Sequence, residues 1–331
     1  LVGSEMCIRD RHHTSKFYEE TLNHYQAKGD KNKVNDLIKE AKAFFGYSMA
    51  SYEYGKDNSK FTIDDGTKTI YPNLSSVKGI GEKAVLDMVA ISKQGIDNFV
   101  DIYKSIKGTS INASVFEKLV KIGYFKKFGS VKQLLSIMKI YDDWKGSNGN
   151  GRKTISKADI SKLGLDGINI RRYATDVTKS GKVSDKQFTN VDWIGIVKEL
   201  ASKVPDEEFG ILQLVKFQYE VLKYVDYVDE SIEWRYVVVT DLNTSYSPKF
   251  NAYSINNGKV VEMKVHKAKP KFDKNVVNSF KEIPFEDGDI LYIKIVKKQP
   301  KKHKVNDEWV VVPDTFEWWI KDYIKAVSYT H

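Results

Sequence analysis

Leu74–Val89 reads LSSVKGIGEKAVLDMV, and its Gly79-Ile80-Gly81 triplet constrains the local chain path more tightly than any other stretch of the 331 residues. Glycine lacks the Cβ that blocks φ > 0, so two glycines around one apolar residue allow a very tight reversal. Beyond the reversal, Glu82-Lys83-Ala84-Val85-Leu86 are good helix formers, and Ala84, Val85, Met88 and Val89 recur at helical spacing. A reversal that delivers the chain into a helix start aims unpaired backbone N–H groups outward, which suits one phosphate. The expected contacts are the amides of Gly79, Gly81 and Glu82, with Lys78 and Lys83 adding charge and Ile80 pointing inward. The same residues also fit a helix C-cap followed by a turn that holds nothing.

The phosphate reading is that of a helix-hairpin-helix element, which grips a nucleic-acid backbone without reading bases. Bulk charge points the same way. The chain carries a net charge of +9, and Lys259–Lys304 alone has 13 lysines against six acids. A basic surface of that size suits a polyanion, although many basic proteins are merely soluble. At 41% apolar and 12% aromatic residues the composition is that of a globular protein of two or three domains. No apolar run approaches the ~20 residues that cross a bilayer, so no membrane partner is expected.

Both ends look foreign. Leu1–Arg11 (LVGSEMCIRDR) and Val327–His331 (VSYTH) resemble translated adapter sequence, so the native stretch is expected to run from His12 to Ala326 as a piece of a longer chain. The single cysteine, Cys7, lies in the first tail, which argues against a disulfide framework or a cysteine zinc site. The histidines are scattered, and none sits in a pattern for nucleophilic catalysis.

Along the chain, apolar periodicity predicts helices over Ser15–Phe45, broken at Gly29-Asp30. Asp64-Asp65-Gly66 between two β-prone runs predicts a hairpin; these carboxylates favour the turn for local reasons, and no metal is expected on them. Helices follow around Val85–Ser92, Ile96–Ser105, Ser114–Lys121 and Val131–Trp144. Ile122–Gly129 (IGYFKKFG) is a degenerate echo of the first hairpin, with Lys126 and Lys127 as lesser DNA contacts. Ser147–Gly151 reads as a flexible linker and the clearest boundary. Arg152–Asn190 has no firm assignment; Val191–Lys203 and Glu208–Val221 look helical. From Tyr224 the period becomes strand-like: Tyr224–Tyr227, Trp234–Thr240, Asn251–Ile255, Val260–Val265, Ile290–Val296 and Trp309–Val312. With a helix at Asp273–Lys281 and a terminal helix at Thr315–Lys325, this predicts a small OB-like β-barrel.

Taken together, these pieces resemble the C-terminal half of C-family bacterial replicative DNA polymerases, the DNA polymerase III alpha subunit. Ser15–Lys42 resembles the end of that family's fingers region. Phe61–Val89 resembles its β-hairpin leading into a Lys-Gly-Ile-Gly-Glu turn, Phe99–Asp101 its Phe-x-Asp, and Leu119–Leu135 (LVKIGYFKKFGSVKQLL) its second glycine turn. The likeness covers His12–Trp144 most specifically and is weaker from Tyr219 onward. Ser48–Tyr54 stands where the family has a proline-rich turn, a departure that suggests a divergent, phage-like member.

The adapter-like ends, the pass along the chain and the resemblance together give an expected order of domains: a non-native tail (1–11), the helical end of the fingers (12–60), a β-hairpin plus helix-hairpin-helix domain (61–146), a linker with helices (147–218), an OB-like domain with terminal helix (219–326), and a second tail (327–331). The fold class is therefore α then β. The resemblance further implies a cytoplasmic, template-directed nucleotidyltransferase whose palm carboxylates bind Mg2+. Those carboxylates lie upstream of this segment, so no catalytic residue and no cofactor is assigned here, and the piece alone should be inactive. The rival is a stand-alone DNA-binding or repair scaffold built from the same modules.

In the β-domain, Tyr253, Phe272 and Tyr292 lie beside lysines such as Lys294, the combination with which OB folds stack single-stranded bases in a basic groove. Half of a small barrel's aromatics must also face its core. Lys297, Lys298, Lys301, Lys302 and Lys304 fall in an expected loop around Pro300 and read as diffuse phosphate contacts. Gln213-Leu214-Val215-Lys216-Phe217 loosely resembles a sliding-clamp-binding peptide, but fits better as one turn of an amphipathic helix.

Overall fold

The computed structural model of the chain describes residues 14–146, 149–178, 180–244, 248–265, 283–305 and 308–326. These form two compact units, Leu1–Phe209 and Gly210–His331. The expected boundary at Ser147–Gly151 therefore lies inside the first unit. There Gly151 and Arg152 return amides to the Lys145 and Trp144 carbonyls, at 2.9 and 3.1 Å. Short range hydrogen bonding holds the glycine-rich stretch against the helix it follows.

The first unit begins with α1 (Thr14–Ala27) and α2 (Lys31–Phe45), separated at Gly29-Asp30 as the periodicity predicts. Asp30 caps α2 through its side chain. A three-stranded sheet follows, β1 (Ser48–Met49), β2 (Thr62–Asp64) and β3 (Thr69–Tyr71), in the order β1-β3-β2. Tyr18, Leu22, Val34, Phe61 and Ile70 bury the helix pair against it. A single 3-10 turn at Leu74–Ser76 then leads through the glycine turn into α3 (Glu82–Ser92).

Three more helices, α4 (Phe99–Ser105), α5 (Ala113–Lys121) and α6 (Val131–Lys145), close around aromatic rings. Phe116 is fully buried and stacks on Phe125 with centroids 4.6 Å apart. Phe99 and Tyr103 pack on the same pair, at 5.6 and 4.8 Å from Phe116. Such rings contribute large buried areas, and their offset geometry fixes the helix crossing. The stretch without assignment, 152–190, forms 3-10 turns and a two-stranded sheet, β4 (Thr154–Ser156) with β5 (Gln187–Thr189). Then α7 (Trp193–Ser202) sets Trp193 5.1 Å from Tyr141 of α6.

The second unit starts with α8 (Ile211–Leu222), and its described residues contain five strands: β6 (Tyr236–Asn243), β7 (Lys249–Ser254), β8 (Val260–Val265), β9 (Ile290–Val305) and β10 (Glu308–Lys325). The sheet order is β10-β8-β7-β6-β9, with β9 also paired to β10. Every ladder is antiparallel except β8 with β10. Val239, Phe250, Leu291 and Ile320 face one another in its core.

Two expectations for this unit are corrected. Tyr224–Tyr227 is not a strand; Asp226 is instead tied to α8 by donating its amide to the Gln218 side chain at 3.1 Å. Thr315–Lys325 is not a helix but the continuation of β10. Of Phe316, Trp319, Ile320 and Tyr323, whose spacing imitates a helix, Ile320 and Tyr323 pack at the barrel core and Phe316 is exposed; the ladder is regular from Phe316 to Ile320 and shifts register on either side of Asp322. Those two shifts are of one residue each, so Ile320 and Tyr323 both reach the core while three apart. The expected helix at Asp273–Lys281 lies outside the described residues.

Candidate nucleic-acid interface

The glycine turn is built as the sequence requires, with one refinement. Gly79 has φ +84°, whereas Gly81 is extended at φ −89° and serves as the N-cap of α3. Only the first glycine is needed for its left-handed backbone. Ile80 is 6% exposed and donates its amide to Val77 at 3.1 Å, so it anchors the turn as expected. Lys78, Gly79, Gly81, Glu82 and Lys83 are all exposed.

Five other helix starts are capped by side chains, Asp30, Asn98, Asn112, Ser130 and Asp192 each accepting a first-turn amide, while the start of α8 at Gly210 is uncapped. Gly81 offers no such cap. The first turn of α3 thus presents backbone donors to solvent with no competing side-chain acceptor from its cap, at the positive end of the helix dipole.

A residue that the sequence reading missed completes the turn. Lys118, on α5, donates its Nζ to the Lys78 carbonyl at 3.1 Å. A Cβ built on Gly79 would stand 2.7 Å from that nitrogen, so the second glycine property in play is close approach. Lys118 lies 40 positions away in sequence, in an ordinary amphipathic helix, and no local signal marks it. Lys83 has an internal neighbour: Asp87, one helical turn on, accepts the hydroxyl and amide of Ser110. Those bonds, with Lys83 adding a smaller share, hold the Asp87 carboxyl below the usual carboxylate range.

The second hairpin differs in the property that matters. Lys126 and Lys127 are exposed, but the Lys127 Nζ sits 4.8 Å from the centroids of both Tyr54 and Phe128. The helix start beyond it is already occupied by acids. Glu208 accepts the amides of Val131 and Lys132, Asp206 accepts that of Ser130 at 2.9 Å, and Glu207 pairs with the Lys132 side chain at 2.8 Å. The place that a phosphate would take is filled by the chain's own carboxylates.

Asp64 and Asp65 do turn chemistry. Asp64 accepts the Gly66 amide at 2.9 Å, and Asp65 accepts the Tyr47 hydroxyl at 2.7 Å and pairs with Lys68. Among the described residues there is no group of three or more His, Cys, Asp or Glu side chains arranged to hold a metal ion, and no helix long and apolar enough to cross a membrane.

The β-domain rearranges the expected contacts. Tyr253 is a core residue, 8% exposed; its hydroxyl donates to the Tyr227 carbonyl at 3.0 Å, and burial pushes its pKa up to about 12. It is not placed to stack on a base. Tyr292 is half-buried against Tyr236 and donates to Glu233 at 3.2 Å. Lys294 is exposed beside an apolar recess of about 520 Å³ that Trp234, Met263, Ile293 and Trp318 help to line. Phe272 lies outside the described residues. Lys297, Lys298, Lys301, Lys302 and Lys304 are on β9, not in a loop. The Gln213–Phe217 stretch is helical within α8, with Val215 and Phe217 buried, so it is not displayed as an extended clamp-binding peptide.

Comparison with known proteins agrees with the first unit's geometry. Residues 56–135 match the family model described as helix-hairpin-helix motif. The chain is also similar to the DNA polymerase III subunit alpha of Ureaplasma parvum serovar 3, at 22% identity over 186 residues. That match covers 56% of this chain and 17% of the relative, so the chain spans well under a quarter of the length of the protein it matches.

Proposed function

We propose that this chain is a DNA-binding portion of a replicative polymerase of the polymerase III alpha type. In this reading it holds primer–template DNA through contacts to the backbone that carry no sequence information. The observation that carries the reading is the uncapped start of α3 at Gly81, with Lys78, Lys83 and Lys118 around one left-handed glycine. Backbone amides and lysines bind phosphate whatever the base, which is what an enzyme that copies every sequence needs. The order and pairing of β6–β10 support an OB-like barrel as the second module.

Nucleotidyl transfer would belong to the longer parent chain, whose carboxylates would hold the Mg2+ ions; the described residues supply the grip and not the chemistry. The cytoplasm and a sliding clamp follow from that role as the expected setting and partner. A stand-alone scaffold built from the same modules is the second reading, favoured if the gene starts near His12; an upstream palm region with its acidic motifs would favour the polymerase. The binding itself is tested by anisotropy with two duplexes of unrelated sequence. Equal affinities within about twofold support backbone recognition, whereas a strong preference for one duplex, or no binding at low salt, refutes it.

A further inference from the structure

Beyond the sheet of the second unit, β9 and β10 continue as a two-stranded arm. β6 pairs with β9 only at Ile290–Tyr292, and β8 pairs with β10 only at Trp318–Ile320. From the Gln299–Glu317 pair to the Val305–Glu308 pair the two strands face only each other among the described ladders, over about 20 Å at roughly 3.3 Å per residue.

Residues 297–304 (KKQPKKHK) hold five lysines, one histidine and no acid. Successive strand residues point to opposite faces, so Lys302 and Lys304 line one face of the arm, with Lys298 at its base, while Lys301 and His303 line the other, with Lys297 at its base. Every one of these side chains is exposed. Directly opposed residues share a face, which sets Lys304 beside Trp309, Lys302 beside Val311 and Lys298 beside Trp318. The Lys298 Nζ lies 4.0 Å from the centre of the Phe316 ring, so the aromatic strand supports the basic one.

We propose that this arm lies in the major groove of duplex DNA. This rests on the DNA-binding reading above and adds a second element that acts by different geometry. A two-stranded ribbon fits a groove about 12 Å wide. A groove also has phosphates along both walls, which is the partner that lysines on both faces require. A single strand or an acidic peptide would engage one face and leave the other lysines unused. The arm's length is a little over half of one turn of B-DNA, about 34 Å.

The test uses the full chain and two double variants, Lys298→Ala/Lys302→Ala and Lys297→Ala/Lys301→Ala, with salt-dependent titration of a duplex and of a single strand of equal length. At about 0.9 per neutralised phosphate, each pair should lower the duplex slope of log K against log salt by about 1.8. Filling the major groove with glucosylated hydroxymethylcytosine should weaken wild type more than either variant. If only the Lys298/Lys302 pair matters and single strands bind better, the arm is a one-sided single-strand track and the proposal falls. If neither slope changes while the variants self-associate, the lysines merely guard open strand edges, and the proposal also falls. Competition by a polyglutamate peptide without any duplex effect would assign the arm to a protein partner instead. A hairpin variant, Gly81→Asp, run in parallel separates the outcomes: if it weakens duplex binding while the arm variants do not, the DNA-binding reading stands and the arm proposal alone fails.

Discussion

Glu208 accepts the backbone amides of Val131 and Lys132 at 3.1 and 3.3 Å, placing a carboxylate at the start of the helix that follows the second glycine turn. The first glycine turn ends at Gly81 with no side-chain acceptor. Two turns of similar sequence are therefore inequivalent: one is closed by the chain itself, the other is open. Glu208→Ala should cost about 0.3–1 kcal/mol of stability in urea unfolding, the usual worth of a carboxylate at a helix N-terminus. Duplex affinity should not fall. A loss as large as that from hairpin variants would make Glu208 part of the binding apparatus and overturn the assignment of the two turns.

The two glycines of the first turn should respond differently. Gly79→Ala forces a side chain into φ +84° and against the Lys118 amine, so it should destabilise by about 1 kcal/mol and weaken duplex binding. Gly81→Ala meets no atom within 4 Å at an ordinary φ and should change little. Gly81→Asp should raise stability, because aspartate is a good N-cap, while weakening DNA binding by setting a negative charge where phosphate is expected. Opposite signs from one substitution, read by thermal melting and anisotropy, distinguish a binding role from a structural one.

How much of this was legible beforehand depends on the range of the interaction. The Gly79-Ile80-Gly81 turn, its inward Ile80 and the helices around it were readable because local periodicity and glycine chemistry determine them. Lys118 was not, since its position beside Lys78 is set by tertiary packing of α5. The closure of the second turn by Glu208 was hidden for the same reason, 76 residues separating Glu208 from Lys132. The helix expected at Thr315–Lys325 rests on apolar spacing alone, and the one-residue register shifts around Asp322 let Ile320 and Tyr323 of a strand share the i, i+3 spacing of a helix face. Tyr253 was read as a candidate stacking ring because sequence does not reveal which face of a strand is inside.

The Asp176 carboxylate receives Lys157 at 2.9 Å and Arg171 at 3.1 Å beside the small β4–β5 sheet. Hydrogen bonds from Lys157, then from Arg171, lower its pKa below the usual value. A carboxyl depressed in the folded state stabilises fully above its unfolded pKa, about 3.9, and loses that contribution as pH falls through the folded value. Asp176→Asn should therefore be less stable than wild type at neutral pH, with the difference shrinking towards strongly acidic pH. A gap that stays constant between neutral and acidic pH in chemical denaturation would assign the effect to packing instead.

Tyr253→Phe tests the correction in the β-domain. Losing the hydroxyl that donates to the Tyr227 carbonyl should cost about 1 kcal/mol, the usual net value of one hydrogen bond. Binding of a single-stranded oligonucleotide should not change, because the ring is in the core. In an alkaline absorbance titration the variant should lack a tyrosine that ionises near 12. A selective loss of single-strand affinity at full stability would return Tyr253 to the surface.

The central claim is that the open turn at α3 grips phosphate with Lys78, Lys83 and Lys118. Its most direct measurement is the salt dependence of duplex binding by the full chain and by Lys78→Ala/Lys83→Ala/Lys118→Ala. At about 0.9 per phosphate contact, the slope of log K against log salt should become shallower by roughly two to three in the triple variant, with circular dichroism unchanged. A slope that stays the same as wild type in a folded triple variant would contradict the account.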